Sequence, residues 1–155
     1  MTLNWWAIVV AAIVGWLLGW AWYSVLFGKQ WMALTGHCPD KGSKSDGMKA
    51  MLWGFLATLV MNVVLAYVIS LIPNLTIACG ATAGALLWLG FIATTMIGIV
   101  LYERKPIKLF AINSGYYLVA LIIGGLIIAS WPAANQQHAL GSCYKNADGA
   151  VICTN

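Results

Sequence analysis

Residues 5–27 read WWAIVVAAIVGWLLGWAWYSVLF, without one Asp, Glu, Lys, Arg or His. An α-helix rises 1.5 Å per residue, so a run of this length matches a hydrocarbon core of roughly 30 Å. Three more runs of the same kind follow at about 51–72, 76–101 and 109–131, each again free of charge. Lipid offers the backbone no hydrogen-bond partners, so each run must satisfy its own peptide groups, which predicts a helix. Strands of a membrane barrel would be half as long and would alternate apolar with polar residues. The four prolines, Pro39, Pro73, Pro106 and Pro132, all lie outside the runs. The first run has no basic flank before it and is too long and Trp-rich for a cleaved leader, which predicts a retained helix. The expected fold is all-α: an integral membrane bundle of four transmembrane helices over residues 1–133, with a short extracytoplasmic tail at 134–155.

The whole composition agrees. Of 155 residues, 62% are hydrophobic and 8% charged, against about 25% charged in a soluble domain. A soluble fold of this size has no way to bury so much apolar surface. The net charge of +4 and the pI near 9.0 do not predict nucleic-acid binding, because the charges are few and scattered. They carry topology instead. Lys29, Lys41, Lys44 and Lys49 fall between the first and second runs, Arg104, Lys105 and Lys108 between the third and fourth, and only Lys145 in the tail. By the positive-inside rule both basic connections are cytoplasmic and both termini outside. Aromatic residues then mark two interfaces, Trp5, Trp6, Tyr67 and Trp131 outside and Trp20, Trp22, Tyr23, Trp31, Trp53 and Tyr102 inside.

The tail supplies a second indication of sidedness. A three-residue hairpin loop takes Gly in its last, left-handed position. Placing Gly149 there pairs Asn146 with Ala150 and Tyr144 with Ile152, and sets Cys143 opposite Cys153. Opposed cysteines are bridgeable, and an oxidising compartment would keep the disulfide. The other reading is a redox-active thiol pair, although the spacing is not CxxC and no activating neighbour is evident. Cys38 and Cys79 read as plain thiols.

Between lipid-facing helices, close backbone approach decides packing, and small residues permit it. Gly15 and Gly19 form a GxxxG on the first run, Gly54, Thr58 and Asn62 recur every fourth residue on the second, Gly80 and Gly84 do so on the third, and Gly124 shares a face with Asn113 on the fourth. These positions are expected to hold the bundle together or to meet a second copy. Asn62, the one strongly polar side chain near mid-membrane, is expected to bond across helices at about 0.6 kcal/mol. The chain also reads as two hairpins of the same orientation, with Leu86-Leu87-Trp88-Leu89-Gly90 echoing Trp16-Leu17-Leu18-Gly19 and implying a pseudo-twofold along the membrane normal.

Several motifs carry a family likeness. Gly19-Trp20-Ala21-Trp22-Tyr23-Ser24, Leu26-Phe27-Gly28-Lys29 and Trp31-Met32 resemble the opening of the bacterial DUF1761 family. So do Trp88-Leu89-Gly90-Phe91, and Tyr102-Glu103-Arg104-Lys105-Pro106 with Ile112-Asn113-Ser114-Gly115-Tyr116. The likeness runs over about residues 5–131 and implies a small multi-span membrane protein without implying an activity; the Cys-bearing tail stands outside it. The motif residues are expected at one face of the membrane, as a polar-aromatic cluster of Trp20, Trp22, Tyr23, Lys29, Glu103, Arg104, Lys105, Asn113 and Tyr116. Interfacial anchoring is the plainer reading of the same residues.

Three function classes remain. The first is an interaction protein, a homo-oligomer or an accessory subunit of a membrane complex, needing only helix faces. The second is an oligomeric channel or small transporter for a neutral or hydrophobic solute, lined by Thr58, Asn62 and Thr94; the runs hold no ionisable residue of the kind that marks ion or proton paths. The third is an enzyme, for which the residues offer little: no metal-ligand cluster, with His37, Cys38 and His138 isolated, no activated nucleophile and no cofactor motif. Tail thiol exchange is the one chemistry with candidate residues.

Overall fold

The computed structural model describes residues 3–36, 44–72, 75–131, 143–145 and 151–153. In chain order the helices are α1 (Trp5–Ala21), α2 (Gly28–Thr35), α3 (Lys44–Ser70), α4 (Ile77–Leu87), α5 (Thr94–Tyr102) and α6 (Ile107–Ser130). Wider π-type turns at Trp22–Leu26 and Trp88–Ala93 extend α1 and join α4 to α5. Four stretches are therefore long and apolar enough to cross a membrane: Trp5–Leu26, Gly47–Ser70, Ile77–Tyr102 and Ile107–Ser130. They are called here the first to fourth spans.

The ends of the spans are set locally. The Asn4 side chain accepts from the Ala7 amide at 3.3 Å and caps the first span, while its amide nitrogen donates to the Trp131 carbonyl at 3.1 Å. Thr76 caps the third span by accepting from the Cys79 amide at 3.2 Å. Pro106 ends the basic turn and starts the fourth span, after Arg104 has reversed the chain at φ 54°.

Contacts along the helices give the order of packing. Asn4 meets Trp131 at one end of the first and fourth spans, and Trp22 meets Ile112 at the other, so these two run antiparallel. Gly15 lies against Thr58, and Gly80 and Gly84 lie against Gly125 and Leu121, which makes each hairpin antiparallel too. Lys29, Lys49, Arg104, Lys105 and Lys108 consequently sit at one end of the molecule, the basic end. The fourth span is the centre, 44% of its window buried against 6% for the third. Its Gly125 and the third span's Gly80 meet backbone to backbone, where a β-carbon on either would collide with the other's carbonyl. The core at the opposite end is apolar: Ile8, Leu65, Ile69, Leu121 and Ile128 pack on one another.

Three features differ from expectation. The connection 28–50 is not all loop, because α2 occupies Gly28–Thr35 and closes on Gly36 in the left-handed conformation, φ +70°. The second helix begins at Lys44, ahead of the expected 51, since lysines at an interface do not interrupt helical hydrogen bonding. Neither π-type turn has a signature in hydropathy, and both begin at a tryptophan bound to the fourth span.

Two short strands, β1 (Cys143–Lys145) and β2 (Val151–Cys153), pair antiparallel with Cys143 opposite Cys153 and Tyr144 opposite Ile152. The loop at 147–149 and the disulfide expected beside it lie outside what the structure describes, as do His37, Cys38 and His138.

Candidate functional site

A cavity of about 580 Å³ opens between the first and second spans toward the basic end, floored by the fourth. The first span contributes Trp16, Gly19, Trp20, Tyr23 and Ser24, one helical face. The second contributes Ala50, Met51, Gly54, Ala57, Thr58 and Met61, and the fourth Tyr116 and Tyr117. The groove exists because the hairpin is tight at one level and splayed at the next. At Gly15 the spans touch, and a β-carbon there would stand 3.1 Å from the Thr58 methyl. One turn toward the basic end, Gly19 faces Tyr116, and Gly54 has no atom of a neighbouring element within 4 Å.

Hydrogen bonds hold the walls. Tyr116 is buried and donates its hydroxyl to the Gly15 carbonyl at 3.2 Å, its ring filling the space left by Gly19. Thr58 donates to the Gly54 carbonyl at 2.9 Å. The Trp16 indole crosses to the second span, donating to the Met51 carbonyl at 3.3 Å and standing edge-on to Phe55 at 6.2 Å. Tyr23 donates to Asn113 Oδ1 at 3.3 Å. Its ring lies 5.8 Å from Trp31 and 5.5 Å from Tyr116, which in turn lies 4.9 Å from Tyr117. These separations fall in the range of favourable aromatic pairs. The π-type turn at Trp22 lets two successive residues face the fourth span. Trp22 donates to the Ile112 carbonyl at 3.0 Å while Tyr23 reaches Asn113; in a regular helix they would point about 100° apart.

Three lining residues keep donors that no described residue uses: the Trp20 indole, the Ser24 hydroxyl and the Tyr117 hydroxyl. Among the described residues no Asp, Glu, His, Lys or Arg lines the groove. An apolar, aromatic-walled space of this size with a few convergent polar groups has the character of a small-molecule site.

The expected inner-face cluster divides. Tyr23, Asn113 and Tyr116 come together, with Trp22 beside them against Gly115. Trp20 is exposed on the groove's rim. Lys29, Glu103, Arg104 and Lys105 are exposed, and Glu103 forms no ion pair among the described residues; three consecutive charged side chains on a tight turn are better solvated than paired. Of the expected packing residues, Gly15, Gly19, Gly80, Gly84 and Gly124 face neighbouring helices, whereas Gly54 faces the groove.

Asn62 departs from its expected role. It is 1% exposed, its amide nitrogen donates to Thr58 of its own helix at 2.9 Å, and its Oδ1 has no hydrogen-bond partner. A β-carbon on Gly124 would stand 2.6 Å from that oxygen. The amide is thus packed across helices and bonded within one. Thr94, expected beside Thr58, instead donates to Gly90 on the exposed side of the third span. The groove's aliphatic and aromatic wall, Trp16, Met51, Ala57 and Met61, carries no polar signal by which sequence could have selected it. Trp88 was equally silent; its indole donates to the Ser114 carbonyl at 2.8 Å and hydroxyl at 3.0 Å.

Residues 6–129 match the family described as Protein of unknown function (DUF1761). The chain belongs to the DUF1761 family. That match takes in all four spans, and its limits fall before the paired strands. No curated protein and no solved structure matches the chain.

Proposed function

We propose that this DUF1761 chain is a multi-pass protein of a bacterial cytoplasmic membrane that works by binding, and that a small hydrophobic or amphipathic molecule enters the groove between the first and second spans from the bilayer. The groove itself carries the reading: about 580 Å³, with aromatic walls and unspent donors, inside the 300–1,000 Å³ range of ligand sites. The antiparallel order supports an orientation in which the basic end is cytoplasmic and both termini outside. In this reading residues 1–133 form the membrane domain and 134–155 an outer tail closed by a Cys143–Cys153 disulfide. Photolabelling with a membrane-dissolved diazirine hydrocarbon tests the site. Label should concentrate on 16–24 and 50–61 and fall several-fold in Gly54→Phe; even labelling of all lipid-facing helices would refute it.

One observation favours assembly as a second reading. Gly15 and Gly19 of the first span, Gly80 and Gly84 of the third and Gly124 and Gly125 of the fourth are spent inside the chain, but Gly47, Ala50, Gly54 and Ala57 of the second are exposed at i, i+3, i+7 and i+10. A homo-oligomer or partner subunit would cover that stripe, and native mass spectrometry of gently extracted protein would give its mass.

A further inference from the structure

We infer that the occupant of the groove is an anionic phospholipid of the leaflet at the basic end. One acyl chain lies between the first and second spans, and the phosphate lies at the mouth. The inference rests on the groove being a ligand site and names the ligand's class. Length, polarity and charge carry it.

The lining of the second span runs from Ala50 to Met61, eleven steps of about 1.5 Å, so about 16 Å. That is about half of a 30 Å hydrocarbon core, the depth of one leaflet. The groove narrows at Thr58, where Gly15 closes on it, and ends past Met61, where Asn62 packs on Gly124. The groove is a blind slot for one chain and not a path across the membrane.

Polarity runs along the same axis. Ala57 and Met61 line the deep end, and the Thr58 hydroxyl beside them is spent on the Gly54 carbonyl. Trp20 and Ser24, one helical turn apart at the mouth, hold an N–H and an O–H that no described residue accepts. Phosphate and ester oxygens are acceptors without donors, and they fit these groups. Two lysines flank the mouth: Lys49 precedes Ala50 on the second span, and Lys29 lies in the first turn of α2, which Tyr23 contacts through Trp31. Among the described residues no carboxylate lines the groove.

Native mass spectrometry of the delipidated full chain tests this with three probes: phosphatidylglycerol, phosphatidylcholine of the same acyl chains, and the diazirine hydrocarbon. One phosphatidylglycerol per chain should survive, at least tenfold over phosphatidylcholine. Gly54→Phe and Ala57→Phe, both filling open space, should abolish retention with helical circular dichroism unchanged. Lys29→Gln with Lys49→Gln should keep a lipid bound and level the two headgroups. Equal retention of both lipids by the unmodified chain overturns the inference. Groove-specific hydrocarbon labelling without lipid retention overturns it and leaves the ligand site standing; neither signal removes both. A co-purified polypeptide that shields a cysteine at Ala57 also overturns it, and makes the groove a helix interface.

Discussion

Gly84→Ala and Gly54→Ala are the same chemical change on neighbouring helices, and the structure gives them opposite signs. At Gly84 the added methyl would meet the Leu121 carbonyl, with the carbonyl carbon 2.7 Å away. Ordinary carbon contacts lie at about 3.5–4.0 Å, so the third and fourth spans must part by about 1 Å there. A gap of that size forfeits about a quarter to a half of the dispersion well for the atoms it separates, and overpacking of this kind costs about 1–3 kcal/mol. Both partners are backbone, so no side chain can swing away to relieve the contact. At Gly54 nothing lies within 4 Å, and the change leaves only the helix-propensity gain, up to about 1 kcal/mol. Thermal unfolding in one detergent, followed by circular dichroism, measures both. At roughly 2–4 °C per kcal/mol for a chain of this length, Gly84→Ala should melt several degrees below the unmodified protein and Gly54→Ala at or slightly above it. Equal shifts for the two variants would refute the packing of the third span on the fourth.

Other outcomes follow from particular contacts. Gly124→Ala places a methyl 2.6 Å from Asn62 Oδ1 and should destabilise by about 1–3 kcal/mol; adding Asn62→Ala should recover most of that, and a double-mutant cycle without coupling would sink the contact. Trp88→Phe removes the donor to Ser114 and Tyr23→Phe the donor to Asn113, each costing about 0.6 kcal/mol and at most about 1.7, more for Trp88 where ring volume is also lost; unchanged melting in both would contradict these bonds. For the proposed topology, an impermeant maleimide applied to intact cells should miss a cysteine placed at Lys29 and reach it once the membrane is opened, and labelling before permeabilisation would reverse the orientation. The proposed tail disulfide predicts a mass two hydrogens lighter before reduction than after, with a Cys143→Ser variant showing no such change.

Much of this protein is legible from composition and spacing. Runs such as 5–27 and 109–131 carry no charged side chain, and a bilayer leaves the backbone in them no alternative to a helix. Antiparallel order follows because each successive span must cross the bilayer in the opposite sense, and the lysines near Lys29 and Lys49 mark one end. The family likeness was legible as well, because its motifs gather where aromatic and basic residues interrupt the apolar runs.

The groove was not legible, and neither was the fate of individual small residues. Gly54 and Gly84 look alike in sequence; one faces open space and the other a carbonyl, because the first hairpin splays where the second closes. Asn62 shows a polar side chain in the membrane, but which helix its amide bonds depends on how near Gly124 comes. The turns at Trp22 and Trp88 are likewise decided by carbonyls of the fourth span, ninety and twenty-six residues away in the chain. Hydropathy is a one-residue property and specifies that a helix enters lipid. Which face of that helix meets another, and where two helices part to leave room for a ligand, depends on distances between residues remote in sequence, and only the tertiary structure contains those.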